Sequence, residues 1–167
     1  MIAVRRGGPP DADTVLGLFD DAVRWLVARG QEAQWGSEPW SSRPVVAARV
    51  RDWAAGGGLR LAIDEEDGAA AGAIVLGDAP PHVPPPHVPE IYVVALVTGA
   101  AWRGRGVGAA LLDDAAGEAR AAGARRLRVD CWAGVPELPA AYERLGFVHT
   151  GAFEADGWPG VILERRI

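Results

Sequence analysis

Arg103-Gly104-Arg105-Gly106-Val107-Gly108 is the stretch on which the reading of this chain turns. It lies between an apolar run, Ile91–Val97, and a segment whose pattern predicts a helix to about Ala122. Its three glycines let the backbone take positive φ and approach a ligand closely. The amides of such a turn, with the first turn of the helix behind it, form a concavity of positive potential. The helix dipole adds about half a positive charge there, and Arg103 and Arg105 add two full ones. A diphosphate is the natural ligand. A tight strand-to-helix connection that binds nothing is the plainer alternative.

Outward from this stretch the chain alternates strands and helices. Ile91–Val97 lacks polar alternation, which predicts a strand covered on both faces. Before it, Pro80, Pro81, Pro84, Pro85, Pro86 and Pro89 predict a stiff loop. Leu59, Leu61 and Ile63 alternate with Arg60, Ala62 and Asp64, the mark of a half-buried strand, and Ala69–Gly77 reads as its hairpin return. Ile2–Arg6 is a first strand. Val15, Leu18, Phe19, Ala22 and Leu26 place one buried stripe on a helix capped by Asp11 or Asp13 and ended near Gly30. Pro44 opens a second helix, to about Ala55. After the central helix come a strand at Arg126–Trp132, a short helix at Leu138–Leu145, and strands at Phe147–Phe153 and Val161–Arg165.

Composition bounds the function. The chain has 167 residues, of which 49 % are hydrophobic and 23 % charged, a profile of one soluble globular domain over 1–167. No apolar run reaches the ~20 residues of a membrane span, and Met1–Pro10 shows no apolar signal core. The net charge of −5 argues against nucleic acid as the main partner. All 17 basic residues are Arg. The single Cys131 excludes an intramolecular disulfide framework and fits a reducing cytoplasm. His82 and His87 have no third ligand nearby in sequence, so no metal is expected. No Ser lies in a G-x-S-x-G elbow.

Gly104-x-Gly106-x-x-Ala109 also fits the dinucleotide fingerprint G-x-G-x-x-G/A, with Asp130 at the end of the next strand. Against that reading, Thr98–Arg103 separate strand from glycines, and too little chain follows for further βα units. Arg103-x-x-Gly106-x-Gly108 more closely resembles the Q/R-x-x-G-x-G/A signature of the GNAT acyl-CoA N-acyltransferases. Ala141-Tyr142-Glu143-Arg144-Leu145-Gly146-Phe147 is similar to that family's (F/Y)YE+LGF segment. In element order the resemblance spans nearly the whole chain; its specific motifs lie within residues 90–153. Two positions depart from it. Val135 stands where the family often has an Asn that touches the coenzyme, and Ala141 replaces the usual aromatic.

The resemblance implies the GNAT fold, an α/β architecture (α+β in some schemes). Its mixed, mostly antiparallel sheet has six or seven strands, about four flanking helices, and splayed fourth and fifth strands. It implies acetyl-CoA as cosubstrate and direct transfer to a primary amine of a small molecule or peptide, with no metal. Backbone groups of Leu96, Val97 and Thr98 would pair with pantetheine, and an amide near Val94 would polarise the thioester carbonyl. Residues 103–108 would hold the diphosphate. Tyr142 matches the acid that protonates the leaving thiolate. The amine must be neutral to attack, and a lysine-like ammonium is neutral in only about one molecule in a few thousand at pH 7. Glu90 is the first candidate base and Asp130 the second. Between the first two helices, Trp35 and Glu38 are candidates for holding the acceptor. The protein is expected to be a monomer or homodimer. A non-catalytic acyl-CoA sensor is the reading from another class.

Overall fold

The computed structural model describes residues 1–167. Seven strands form one sheet in the order β1-β2-β3-β4-β5-β7-β6. They are β1 (Ile2–Arg6), β2 (Leu59–Asp64), β3 (Ala70–Gly77), β4 (Glu90–Thr98), β5 (Arg126–Trp132), β6 (Val148–Ala155) and β7 (Trp158–Arg166). The helices are α1 (Ala12–Ala28), α2 (Pro44–Ala55), α3 (Val107–Ala121) and α4 (Glu137–Arg144). β4 and β5 are parallel, as a crossover through a helix requires, while the β1–β2, β2–β3, β5–β7 and β6–β7 pairs are antiparallel. This is the mixed seven-stranded, four-helix fold the sequence predicts. No helix is long and apolar enough to cross a membrane.

Two compact units divide the chain, Met1–Val75 with Ala95–Asp113 and Leu76–Val94 with Asp114–Ile167. In the first unit the predicted α1 stripe is buried to the last residue: Val15, Leu18, Phe19, Ala22 and Leu26 are all under 7 % exposed. It packs with Val46 and Val50 of α2, Leu59 and Leu61 of β2, Ala73 and Val75 of β3, and Val97 of β4. Each such large side chain contributes about 1.5–3 kcal/mol when fully buried. Phe19 stacks on Trp40 at 4.1 Å and 8°. Two expectations are corrected here. β2 is not half-buried, since Arg60, Ala62 and Asp64 are buried as well; β1 and β3 flank it on both edges. Asp11 precedes α1 but makes no side-chain cap to it. Its carboxylate instead binds Arg5 and the Gly8 amide.

In the second unit β5 pairs with β7 along seven positions, Arg126↔Arg166 to Trp132↔Gly160. β6 and β7 form a hairpin through Asp156 and Gly157, both at positive φ (50° and 79°), the geometry of a right-twisting two-residue turn. The parallel β4–β5 ladder is short. It runs from Glu90↔Arg126 to Val93↔Val129 and ends there, although β5 continues to Trp132. Val94, just past the last pair, is 38 % exposed. β4 is therefore not covered on both faces throughout: Val94 opens to solvent just past the ladder, while Val97 further along is buried.

Candidate active site

The glycine-rich turn belongs to the first unit. β4 ends at Thr98 and a short 3₁₀ turn, Ala100–Trp102, leads into it. Gly104 and Gly106 both sit at positive φ, 74° and 79°, which costs a residue with a Cβ roughly 1–2 kcal/mol. Arg103, Gly104, Arg105 and Gly106 are exposed, whereas Val107 beneath them is buried. The amides of the first turn of α3 have no intrahelical partners, as at any helix start. The turn is thus exposed at residues 103–106 and anchored at Val107.

Four side chains to which the sequence reading gave no site role lie around this turn: Trp25, Arg29, Trp102 and Asp64. Arg103 lies over the Trp25 ring at 3.7 Å, and Arg29 lies over the same indole at 4.5 Å. Trp102 donates its indole N–H to Asp64 Oδ2 at 3.3 Å, and Arg105 reaches the same oxygen at 3.9 Å. The Glu66 amide donates to Asp64 Oδ1. That backbone hydrogen bond, with the Trp102 contact second, holds the Asp64 carboxyl below the ordinary aspartate range. A Trp two positions before the first glycine, and an Asp at the end of an apolar strand, were the available signals.

Trp35 and Glu38 are also in the first unit. Trp35 packs edge-on against Phe19 at 5.1 Å, and its carbonyl accepts the Trp40 indole N–H at 3.2 Å. Glu38 is exposed. The Trp pair thus serves the aromatic core around Phe19.

The second unit carries the remaining candidates. Strand alternation puts Glu90 and Tyr92 of β4 on one face with Arg126, Arg128 and Asp130 of β5. Glu90 is 5 % exposed and both its oxygens are taken: Oε2 accepts from Arg126 Nε at 2.7 Å, and Oε1 from an Arg128 terminal nitrogen at 2.8 Å. Arg126 also reaches Glu164 at 2.8 Å. Arg128 Nε is buried without a hydrogen-bond partner. The structure therefore occupies Glu90 with two guanidinium ions. Asp130, 18 % exposed, accepts the Tyr92 hydroxyl at 2.6 Å and lies 3.5 Å from His82 Nε2. Burial first, then that hydrogen bond, raises Tyr92 far above an ordinary phenol.

Tyr142, near the end of α4, is buried, and its ring meets Phe147 edge-on at 5.6 Å. Burial, with the neighbouring Cys131 and Asp130 adding to it, pushes its phenol up, so it stays protonated at physiological pH. Cys131 is buried too, and burial pushes its thiol up to about 12. It remains a thiol, unsuited to attack. No group of three or more His, Cys, Asp or Glu side chains is placed to hold a metal ion.

Solved structures share this architecture. A GNAT-family acetyltransferase from Listeria monocytogenes superposes with a TM-score of 0.72 at 20 % identity, over 99 % of this chain and 95 % of that one. A ribosomal-protein-alanine N-acetyltransferase from Brucella melitensis gives 0.66 at 20 % identity, over 99 % of both. The class is that of the GNAT fold. The family model for Acetyltransferase (GNAT) matches residues 21–147, and the chain belongs to that family. Mycothiol acetyltransferase of Corynebacterium glutamicum is 31 % identical over 127 residues, 75 % of this chain and 40 % of that protein. The chain thus spans less than half the length of that curated relative.

Proposed function

We propose that this protein transfers an acetyl group from acetyl-CoA to a primary amine of a small molecule or peptide, directly and without a covalent enzyme intermediate. The observation that carries the reading is the turn at residues 103–108. It is exposed at residues 103–106, bent by two positive-φ glycines, carries two arginines and runs into the start of a 15-residue helix. Family membership supports the donor's identity. In this reading the amides from Gly104 to Gly108, with Arg103 and Arg105, hold the diphosphate, and backbone groups of Leu96, Val97 and Thr98 pair with the pantetheine arm. The ladder end at Val93↔Val129 leaves the Val94 backbone unpaired with β5, which suits an amide that polarises the thioester carbonyl.

Tyr142 is the proposed acid. The burial that keeps its proton on also makes delivery uphill toward a solvated thiolate. A thiolate expelled into equally dry surroundings is raised in the same direction, as Cys131 is, and becomes basic enough to take it. The high thiol value of Cys131 supports direct transfer over a relay through it. The units change over within β3, β4 and α3 rather than in linkers, which supports one working domain over the residues described. A single buried thiol and the need for acetyl-CoA fit a cytoplasmic setting.

The test is thiol release from acetyl-CoA with a panel of primary amines, beside thermal shifts with acetyl-CoA and NAD. A ligand at about 100 times its Kd stabilises by about 2.7 kcal/mol, so acetyl-CoA should raise the melting temperature and NAD should not. Tyr142→Phe should lower kcat far more than it weakens acetyl-CoA binding. Tight acetyl-CoA binding with no release on any amine would instead identify a sensor.

A further inference from the structure

We infer that His82, facing Asp130, is the base that takes the proton from the acceptor amine. This rests on the transferase reading above. The sequence places His82 in the proline-rich loop between β3 and β4 with no stated role. The structure gives it a fixed seat. Val83, next along the chain, is 5 % exposed and packs with Tyr92 and Ile162, which anchors the loop on the sheet face. The Val83 amide donates to the Pro80 carbonyl, closing a turn on prolines that are stiff in φ. The His82 ring rests on Phe153 at 4.7 Å between centroids, and its Nε2 stands 3.5 Å from Asp130 Oδ2.

That oxygen also accepts the Tyr92 hydroxyl at 2.6 Å. Tyr92 is 1 % exposed, so the carboxylate is oriented from below by a buried phenol. The His82 side chain is 39 % exposed and Asp130 18 %, so the imidazole is the member of the set that a substrate reaches. The alternative base, Glu90, is 5 % exposed with both oxygens bound to guanidinium groups. The charged and titratable groups on this face are Asp130, Arg126 and Arg128 of β5, Tyr92 and Glu90 of β4, and Glu164 and Arg166 of β7. β6 contributes Phe153 against the ring, and the loop itself carries Asp78 and His87. Among these, Arg126 and Arg128 are bound to Glu90, and Asp130 is the carboxylate at His82.

The chemistry balances without a further reactant. In the Nε2–H tautomer the ring's proton faces Asp130 Oδ2, and the Nδ1 lone pair is left as acceptor. Nδ1 takes a proton from the ammonium; that N–H bond breaks and its electron pair stays on nitrogen. The neutral amine attacks the thioester carbon and the C–S bond breaks; the thiolate leaves with its pair and takes a proton from Tyr142, and the second proton shed by the new amide nitrogen restores that phenol. The imidazolium then returns its proton to solvent.

Two measurements test this. With ¹⁵N-labelled histidine, only three rings contribute, and His82→Gln assigns the one in question. The neutral His82 ring should be predominantly the Nε2–H tautomer, and Asp130→Asn should shift it to the mixture of a free imidazole. The same mixture in both proteins overturns the pairing. Turnover is then followed against pH with benzylamine and spermidine as acceptors. His82→Gln should lower kcat/KM at neutral pH by about 100-fold or more and leave the acetyl-CoA Kd unchanged. The deficit should shrink as pH rises toward the amine's own titration, which a merely structural role would not produce. An active wild type with His82→Gln unaffected overturns this assignment alone. A wild type that binds acetyl-CoA but acetylates neither amine overturns the transferase reading with it.

Discussion

Glu90→Ala separates a structural carboxylate from a catalytic one. Glu90, Arg126, Arg128 and Glu164 form two positive and two negative charges joined by contacts of 2.7, 2.8 and 2.8 Å. The first three side chains are 5, 8 and 5 % exposed. Removing Glu90 leaves Arg126 with Glu164 and takes from Arg128 the carboxylate it binds, while Arg128 Nε is already without a partner. Truncating one member of a buried ion pair costs about 3–5 kcal/mol, because the surviving charge stays desolvated. At about 2–4 °C per kcal/mol for a domain of this size, the melting temperature should fall by roughly 6–20 °C. Glu90→Gln keeps one carbonyl acceptor and should lose less. Urea titration followed by circular dichroism measures both, and an unchanged slope would show that the unfolded state is not the cause. The reasoning is refuted if Glu90→Ala stays within about 1 kcal/mol of wild type. It is refuted equally if Glu90→Gln keeps full stability yet loses turnover by two orders of magnitude, the signature of a base.

Three further outcomes follow from the same structure. The Asp64 carboxyl titrates below its unfolded value of about 3.9. Its contribution is therefore complete above that value and lost as pH falls through the folded one; Asp64→Asn should flatten the decline of the urea midpoint between pH 5 and 3, and an unchanged slope would contradict the Trp102 anchor. Cys131, with its thiol at about 12, should react with a disulfide reagent at pH 8 on the order of 10³-fold more slowly in the native protein than in urea, and equal rates would contradict its burial. A Cβ at Gly72 would lie 2.7 Å from the Val97 carbonyl oxygen and 2.8 Å from Val107 Cγ1. Gly72→Ala should therefore displace the start of α3, lower stability by about 1–3 kcal/mol and weaken acetyl-CoA binding measured by calorimetry; wild-type values for both would show that the turn does not depend on this contact.

The elements of the fold were legible because their signals are local. The α1 stripe, the proline that opens α2, the apolar run of β4 and the glycines before α3 each specify structure within one window of chain. β1, α2 and β5 fall on the predicted bounds. The glycine-rich turn and the short helix that carries Tyr142 were legible for the same reason, since each sits in a contiguous motif. Side-chain partnerships were not. Alternation shows that Glu90 and Tyr92 share a face, and that Arg126, Arg128 and Asp130 share one, but only the β4–β5 register sets Glu90 opposite Arg126 and Tyr92 opposite Arg128. That register turned a candidate base into the centre of an ion cluster and brought Tyr92, 38 positions away in the chain, onto Asp130. Likewise Trp25 beneath Arg103, and Asp64 beneath Trp102, are joined only by packing. Sequence alone thus settles where the backbone bends and which stripe α1 buries, because those follow from propensity and periodicity, whereas the burial of β2 and β4 depended on their neighbours. Which charges meet is decided by the tertiary structure, since desolvation and pairing depend on distances that no local pattern encodes.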